Sequence, residues 1–317
     1  MLRSFLALFV LLFTGSIVLL DPGRSEEAFG DQAIRAVAIP LDVAHPGADR
    51  IGSLRYLGGW VLSSDDPEFG GISGLAIGPD GFVAISDAGG VFRFELGADG
   101  RIVSASIATV PDGPEPENGG APEKVDRDAE ALFRDGETGQ YWVAYEGNNM
   151  IWRYDANFNA AESSNAVAAM QDWPDNGGAE AMLRLADGRF VVFSEAGNGP
   201  RGSREALLFA ADPSEADSQP LRFGYRPPGG YRITDAAELP DGRLIILNRR
   251  FSLVEGVSVI VTIASLDGLA EDAIIEGRSI ARLDPPLTID NMEAVVVAEE
   301  NGRAVIWMAS DDNFNPL

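Results

Sequence analysis

The sequence predicts an all-β protein, a β-propeller of five or six four-stranded blades. Hairpin-like units recur roughly every 50 residues, and the chain between them holds enough strand-length apolar runs for four strands per repeat. No amphipathic helix of useful length competes with these runs. Repeats of this kind are typical of propeller blades, which bury their faces only against one another. We therefore expect one propeller domain over residues 30–317.

Five units share one plan, in which two apolar runs flank a turn and polar, mostly acidic residues stand at both outer ends. A turn dipeptide marks four of them: Asp80-Gly81, Asp187-Gly188, Asp241-Gly242 and Asn301-Gly302. Such dipeptides are strong hairpin signals, because they accept the positive φ angles of tight turns. Each unit is expected to be the inner hairpin of a blade.

The equivalent positions of these units are evenly spaced. Glu130, Glu180, Glu238 and Glu293 follow one another at intervals of 50, 58 and 55 residues, and Ser73 precedes Glu130 by 57. Counting units predicts five blades, and six follow if the N-terminal region forms a blade of its own.

The last unit, residues 290–316, ends before any outer strands. Strand candidates at residues 33–41 and 54–62 can supply those strands and close the ring, since propellers must remove their open edges. Otherwise the last blade is incomplete, as expected of a truncated reading frame.

Composition excludes several classes of partner and site. The formal net charge is −25, with 49 acidic and 24 basic residues, so nucleic acids and anionic membrane surfaces would be repelled. The absence of cysteine excludes disulfides, thiolate metal sites and cysteine nucleophiles. We expect a monomer that acts on a small molecule.

The N-terminus resembles a targeting segment. Arg3 precedes an apolar run from Phe5 to Leu20, which has the length of a secretory core and is short for a spanning helix. Residues 1–28 are therefore interpreted as a signal peptide cleaved near residues 25–28, or as an uncleaved anchor. The protein is expected in the periplasm or outside the cell.

Propeller geometry places the acidic ends of the five hairpins together. Strand one of each blade lines the channel and strand two is antiparallel to it, so the start of strand one and the end of strand two share a mouth. The residues expected there are Ser73, Asp87, Glu130, Glu146, Glu180, Glu195, Glu238, Asn248, Glu293 and Asp311.

Carboxylates this close cannot all stay ionised without a cation or neighbouring arginines. Oxygen ligands without His or Cys favour Ca²⁺, with Mg²⁺ or Mn²⁺ as weaker choices. The predicted metal ligands are Asp87, Glu146, Glu195, Glu238, Glu293 and Asp311. A glutamate at a strand start can equally accept backbone N–H bonds and serve only blade geometry.

Three arginines are expected on the same face: Arg127, Arg249 and Arg250. They would bind an anionic substrate group or simply neutralise the acids. The chain has no G-x-S-x-G motif, one histidine and no phosphate-binding loop, so triad and nucleotide chemistry are disfavoured. If the protein is an enzyme, metal-assisted hydrolysis remains, with Glu130 or Glu180 as the base that activates water.

Several motifs, in chain order, resemble the family described as esterase-like activity of phytase, a family of exported bacterial proteins. They are FGGISGL at 69–75, DAEAL at 128–132, GGAEAM at 177–182, LPDGRLIILNRRFS at 239–252, and DNMEAV at 290–295 leading to SDDNFNP. The resemblance implies a propeller, export, and hydrolysis of esters or phosphate esters. It also implies a further strand after the last motif, in agreement with truncation. One departure is Ala88, where the family pattern has arginine.

Three functions follow from these observations. The first is a Ca²⁺-dependent hydrolase of phosphate esters or other esters. The second is a non-catalytic propeller that binds a ligand or partner and uses calcium structurally. The third is a lactonase-type metal hydrolase, which also works from a central acidic ring.

Overall fold

Strands dominate the described part of the chain. The computed structural model describes residues 7–14 by their backbone, and residues 33–115, 126–216 and 219–311 in full. Short 3₁₀ turns occur at Ala168–Met170 and Pro200–Gly202. The all-β class is confirmed. The predicted cleavage region, residues 116–125 and the residues after 311 lie outside the described residues.

The strands form five sheets around a central channel, so the five-blade arrangement is confirmed. The N-terminal strands are β1 (Ala7–Thr14), β2 (Arg35–Ala38), β3 (Arg50–Ile51) and β4 (Leu54–Ser63). Blade one contains β5 (Ile72–Gly78), β6 (Gly81–Ser86), β7 (Gly90–Leu96) and β8 (Ile102–Thr109). Blade two contains β9 (Ala129–Arg134), β10 (Tyr141–Tyr145), β11 (Met150–Tyr154) and β12 (Ala161–Ala166).

The remaining blades follow the same inner plan. Blade three contains β13 (Ala179–Arg184), β14 (Phe190–Asn198), β15 (Arg204–Phe209), β16 (Leu221–Arg226) and the added strand β20 (Ile274–Glu276). Blade four contains β17 (Arg232–Glu238), β18 (Leu244–Ser252), β19 (Gly256–Ala264) and β21 (Arg278–Leu283). Blade five begins with β22 (Asn291–Glu300) and β23 (Arg303–Asp311).

N-terminal strands complete blade five: β2 and β4 lie in the segments predicted to close it, whereas β1, which pairs directly with β23, was not predicted. The strand order of this blade is β22, β23, β1, β4 and β2, with β3 paired to β4. β1 is parallel to both of its neighbours, whereas the inner hairpin β22–β23 is antiparallel. β1 lies within the apolar run interpreted as a signal sequence, and export stays a prediction. Among the described residues, no helix is long and apolar enough to cross a bilayer.

The apolar core is divided into layers between adjacent blades. Ile85 and Val143 pack between blades one and two, and Phe193 and Ile246 pack between blades three and four. The gap between blades five and one is filled in the same way, with the Phe82 and Trp307 ring centroids 4.6 Å apart in a tilted arrangement. Because each face of a blade is covered by its neighbour, the hydrophobic effect stabilises the closed ring.

Strand one of every blade carries a β-bulge at the same end of the channel. In each case one residue of strand one is skipped by the pairing with strand two. The skipped residues are Ser73, Glu130, Glu180, Thr234 and Glu293. A bulge places an extra residue on one strand and re-aims its side chain, a feature common beside functional sites.

Two of the bulge residues connect neighbouring blades. The Thr234 hydroxyl donates a hydrogen bond to the Met292 carbonyl oxygen at 2.9 Å, and the Ser73 hydroxyl donates to the Ala129 carbonyl oxygen. Both acceptors directly precede the bulge residue of the next blade. The hydroxyl bulges therefore set the spacing of strands around the channel mouth.

Replacing Thr234 by valine keeps the shape of the side chain but removes its donor. Met292 O would lose this buried partner, so we expect the free energy of unfolding to fall by about 1–3 kcal/mol. Urea denaturation of Thr234→Val measures this loss. The matched control is Thr109→Val, at an exposed position in β8. Equal stability of the two variants would show that the inter-blade bond contributes nothing.

Candidate functional site

A cavity of about 270 Å³ opens at the channel mouth where the bulges lie. Its lining is polar throughout the described residues and includes seven carboxylates. We call these seven the acidic ring: Asp87, Glu130, Glu146, Glu180, Glu195, Glu293 and Asp311. The other lining residues are Ser73, Asn176, Arg232, Arg249 and Asn291. Two guanidinium groups face seven carboxyl groups, so acidic residues far outnumber basic ones in the cavity lining.

Two positions in each hairpin supply the ring. The first is the bulge in strand one, which carries Glu130, Glu180 and Glu293. The second position is in or directly after strand two. The residue before each bulge pairs with a residue of strand two, and the next residue along the chain from that partner faces the cavity. In blade order, these residues are Asp87, Glu146, Glu195, Arg249 and Asp311. In the first three blades the backbone N–H of this residue also bonds back to the loop before strand one.

The predicted gathering of acids is correct except in blade four. Glu238 is the last residue of β17 and lies at the opposite end of the strand, where its carboxylate accepts the Ala186 N–H at 2.7 Å. It lines a separate cavity of about 300 Å³ together with Arg134 and Arg184. The prediction that Glu238 joins the ring is therefore wrong, because strand pairing places Thr234 at the bulge.

Asn248 is also outside the cavity. It is buried within β18, where its Oδ1 accepts the Tyr225 hydroxyl at 2.7 Å. The next residue, Arg249, occupies the ring position. Turn spacing could have located the blade-four bulge: Ser73, Glu180 and Thr234 each lie seven residues before the aspartate of their Asp-Gly turn.

The three predicted arginines have different surroundings. Arg249 lines the cavity, whereas Arg250 points away, pairs with Glu255 and lies 5.1 Å from the Tyr231 ring centroid. Arg127 packs against Gly89 and is not among the cavity-lining residues. Of the three, Arg249 is placed to meet a ligand in the cavity.

Sequence reasoning missed several members of the site. Arg232 pairs directly across from Arg249 in the β17–β18 ladder, and like charges at such positions repel each other. Glu195 offsets the repulsion, with its carboxylate 2.7 Å from Arg232 and 3.9 Å from Arg249. Asn176, Asn291 and Asp128 were also missed as site residues. Counting both strands outward from the turn at Asp241 could have identified the arginine pair.

One side of the cavity is strongly acidic. Carboxylate oxygens of Asp128, Glu130 and Glu146 lie within 4.8 Å of one another. Glu180 belongs to the same group, because its carboxyl is close enough to Glu146 to influence the pKa of that residue. We call these four residues the acidic half of the site. Their oxygen atoms are the donors that a hard divalent cation prefers.

Glu146 is held by two consecutive backbone N–H groups. Its Oε1 accepts hydrogen bonds from Gly177 and, at 2.7 Å, from Gly178. Gly177 has a φ of +116°, and a Cβ on Gly178 would lie 2.7 Å from Asn149 Oδ1. The Gly-Gly pair therefore allows the backbone to approach the carboxylate. Asn149 Oδ1 is buried without a hydrogen-bond partner among the described residues, a further oxygen beside this half.

The other side of the cavity is compensated by arginine. Arg249 Nη1 lies 3.3 Å from Glu293 Oε1 and also bonds the Asn291 side chain. Asn291 Nδ2 in turn donates to Glu293 at 2.8 Å. With Arg232 and Glu195, these residues form what we call the arginine half of the site. An anionic group entering the cavity would meet its guanidinium donors here.

Burial and mutual repulsion raise the pKa values of four glutamates of the ring. Burial is the largest cause for Glu130 and Glu180, whose pKa values lie well above the usual range, and neighbouring carboxylates add to it. Burial raises the pKa of Glu293 to about 8, although Arg249 opposes the shift. The pKa of Glu146 is also raised by burial, against the two glycine N–H groups. Glu130, Glu180 and Glu293 therefore retain protons to higher pH than ordinary glutamates unless a cation replaces them.

Comparison with known proteins identifies one family. The model for phytase-like proteins, described as esterase-like activity of phytase, matches residues 67–314. The resemblance seen in the motifs is therefore confirmed. No curated protein matches this chain significantly.

Among solved structures, the likenesses are distant. A protein from Lactobacillus plantarum is 9% identical, with 73% of this chain and 61% of that chain covered and a TM-score of 0.38. A putative 6-phosphogluconolactonase from Bacteroides uniformis is 13% identical, with coverage of 67% and 57% and a TM-score of 0.39. The chain spans less than two thirds of the length of either structure, and superpositions this weak support no inference about activity.

The raised pKa values predict how stability depends on pH in a chelator. A carboxyl with a higher pKa in the folded than in the unfolded chain binds more protons when folded, so stability falls as pH rises between the two values. For Glu293 this window runs from 4.5 to about 8. We expect the melting temperature in EDTA to fall from pH 5 to pH 8, and Glu293→Gln to flatten part of this slope.

Glu300→Gln is the matched control, because Glu300 is exposed on the same strand. It should keep the full slope. A melting temperature that rises over this pH range in EDTA would contradict the protonated ring.

Proposed function

The chain belongs to the phytase-like family, and we propose that it is an exported, metal-dependent hydrolase of phosphate esters or other esters that acts at the acidic ring. The observation that carries this proposal is the cavity itself. Seven carboxylates and two arginines converge in a space of about 270 Å³, and strand pairing fixes their positions. A site rich in carboxylates with raised pKa values is typical of catalysis rather than of packing.

Calcium is the proposed ion, and Asp128, Glu130 and Glu146 are the residues proposed to hold it. Their oxygens are close enough to share one cation, and no sulfur or imidazole donor stands among them. Carboxylate and carbonyl oxygens in a flexible set suit Ca²⁺ better than the stricter octahedral demand of Mg²⁺. Bound there, the ion would polarise an ester or phosphoryl oxygen.

Residues of the chain would bind the substrate and activate the attacking water. Arg232 and Arg249 bind the anionic oxygens of the substrate, in the way that guanidinium groups bind phosphate and carboxylate. Glu180 would accept the proton of the attacking water at its carboxylate once a bound cation has displaced the proton that its raised pKa otherwise retains. Glu130, the other predicted base, lies with Asp128 and Glu146 and fits the ligand set instead.

A second candidate is a non-catalytic propeller that binds a ligand and uses calcium structurally. Two contacts favour it: Glu146 accepts two backbone N–H groups, and Glu195 is paired with Arg232. Both interactions connect blades without any reaction. Lactone hydrolysis is a special case of the first proposal, because a lactone is a cyclic ester.

Metal binding tests the ion. We expect close to one equivalent of calcium in protein dialysed against micromolar Ca²⁺, and a melting temperature that EDTA lowers. Glu130→Gln should weaken Ca²⁺ binding at least tenfold, because one charged ligand is lost, while Glu300→Gln binds as the wild type does. Isothermal titration calorimetry measures both. Unchanged affinity in Glu130→Gln would remove the acidic half as the metal site.

Activity separates the two candidates. We expect calcium-dependent turnover of at least one member of a panel of phosphomonoesters, aryl esters and lactones. Glu180→Gln should lower kcat by about 10²- to 10⁴-fold, the usual contribution of a general base, and should retain calcium. If the calcium-loaded wild type turns over no ester of the panel, the hydrolase is wrong and the binding propeller stands.

A further inference from the structure

The second hairpin of blade four rises beside the acidic ring. β18 and β19 stay paired for four residues beyond Asn248, up to the pair Ser252 and Gly256. Four strand residues extend about 13 Å, at roughly 3.3 Å each. In blades one and two, strand three begins within four residues of the ring carboxylate. Residues 249–257, here called the blade-four hairpin, therefore stand above the mouth as a wall.

The tip of this hairpin is apolar and exposed. Phe251 is 64% exposed, Leu253 95% and Val254 94%. Three large apolar side chains clustered at one tip are unusual on a protein surface and indicate a contact site. The chain is otherwise rich in charge, so the cluster cannot be attributed to a lack of polar residues.

Strand geometry connects this tip to the ring. Arg249 and Phe251 are two residues apart in β18, so their side chains point to the same face of the sheet. Arg249 lines the cavity, and Phe251 lies one step further out on that face. Val257, the ladder partner of Phe251, packs against the core between blades four and five. The apolar tip is therefore continuous with the wall of the site.

The hairpin is braced rather than loose. Arg250 pairs with Glu255 across the tip, and its guanidinium lies over the Tyr231 ring. Ser252 Oγ accepts the backbone N–H of Val254 at 3.3 Å. A surface held in place loses less entropy when a ligand binds to it.

The cavity can hold only the polar part of an ester substrate. Its lining, among the described residues, contains no aliphatic or aromatic side chain, and its volume lies below the range of about 300–1,000 Å³ typical of small-molecule pockets. The carbon chain of an ester must therefore leave through the mouth. The blade-four hairpin offers apolar contact there, on the strand that carries the anion-binding Arg249.

We propose that the blade-four hairpin binds the apolar part of the substrate, and that the substrate is an ester joining a phosphoryl group to an alkyl or aryl chain. This inference rests on the proposed function of the ring. The net charge of −25 opposes an anionic bilayer as the partner of the tip.

Binding of non-hydrolysable alkylphosphonates, from methyl to octyl, tests the proposal without turnover. The variant replaces Phe251, Leu253 and Val254 by serine. The control is Val103→Ser, at an exposed position near the opposite end of blade one. Titration calorimetry with calcium present should show affinity rising about twofold per methylene in wild type and control, since only one side of the chain is covered. The triple variant should lose at least tenfold for octylphosphonate and bind methylphosphonate unchanged.

Three outcomes would overturn the proposal: the triple variant keeps the chain-length dependence, the wild type shows none, or no alkylphosphonate binds. Sedimentation with phosphatidylcholine vesicles adds a fourth. If the wild type sediments with vesicles and the triple variant does not, the tip is a membrane contact instead. Wild type that binds long phosphonates but hydrolyses no ester would refute the hydrolase while leaving this binding surface standing.

Discussion

The architecture of the site depends on one backbone irregularity, the β-bulge that every blade carries at the same point of strand one. Pairing skips one residue there, and the skipped side chain is a glutamate in three blades and a hydroxyl in two. The glutamates face the cavity, and Ser73 and Thr234 bond the next blade. The bulge therefore provides the glutamates of the cavity in three blades and the hydrogen bonds that space adjacent blades in the other two. Glu130, Glu180 and Glu293 are near one another because they occupy the same bulge position in blades that surround one channel.

This closure has an electrostatic cost that the molecule meets in two ways. In the arginine half, Arg249 and Arg232 offset Glu195 and Glu293, so charge is balanced locally. In the acidic half, no arginine is paired with Glu130, Glu146 or Glu180 among the described residues, and protonation or a cation must provide the balance. The acidic half would therefore suit a cation, and the arginine half would suit an anionic group. A substrate with an anionic head would bridge the two, as metal-assisted ester hydrolysis requires.

Much of this could be predicted from the sequence, because repeat length and turn chemistry are local signals. The five inner hairpins, the closing role of the N-terminal strands and the shared mouth of Asp87, Glu146, Glu195 and Asp311 follow from period and antiparallel geometry. The prediction for blade four was wrong because Glu238 was chosen by its spacing from the other glutamates. The position of the bulge is set instead by the register of strand pairing, which places Thr234 there. Arg232 was missed because its register depends on the bulge at Thr234: counting outward from the turn at Asp241 pairs it with Arg249 only when the skipped residue is included. The compensation of this arginine pair by Glu195 and Glu293 depends on side chains from three blades and has no local signal.

We propose that a cation occupies the acidic half, and every other role in the site depends on it. The most direct measurement is the anomalous difference density of crystals grown with Ca²⁺ or soaked with Mn²⁺. We expect one strong peak bounded by the carboxylates of Asp128, Glu130 and Glu146, and none between Arg232 and Arg249. A cavity without a peak at saturating metal, or a peak at the opposite mouth beside Glu238, would contradict it.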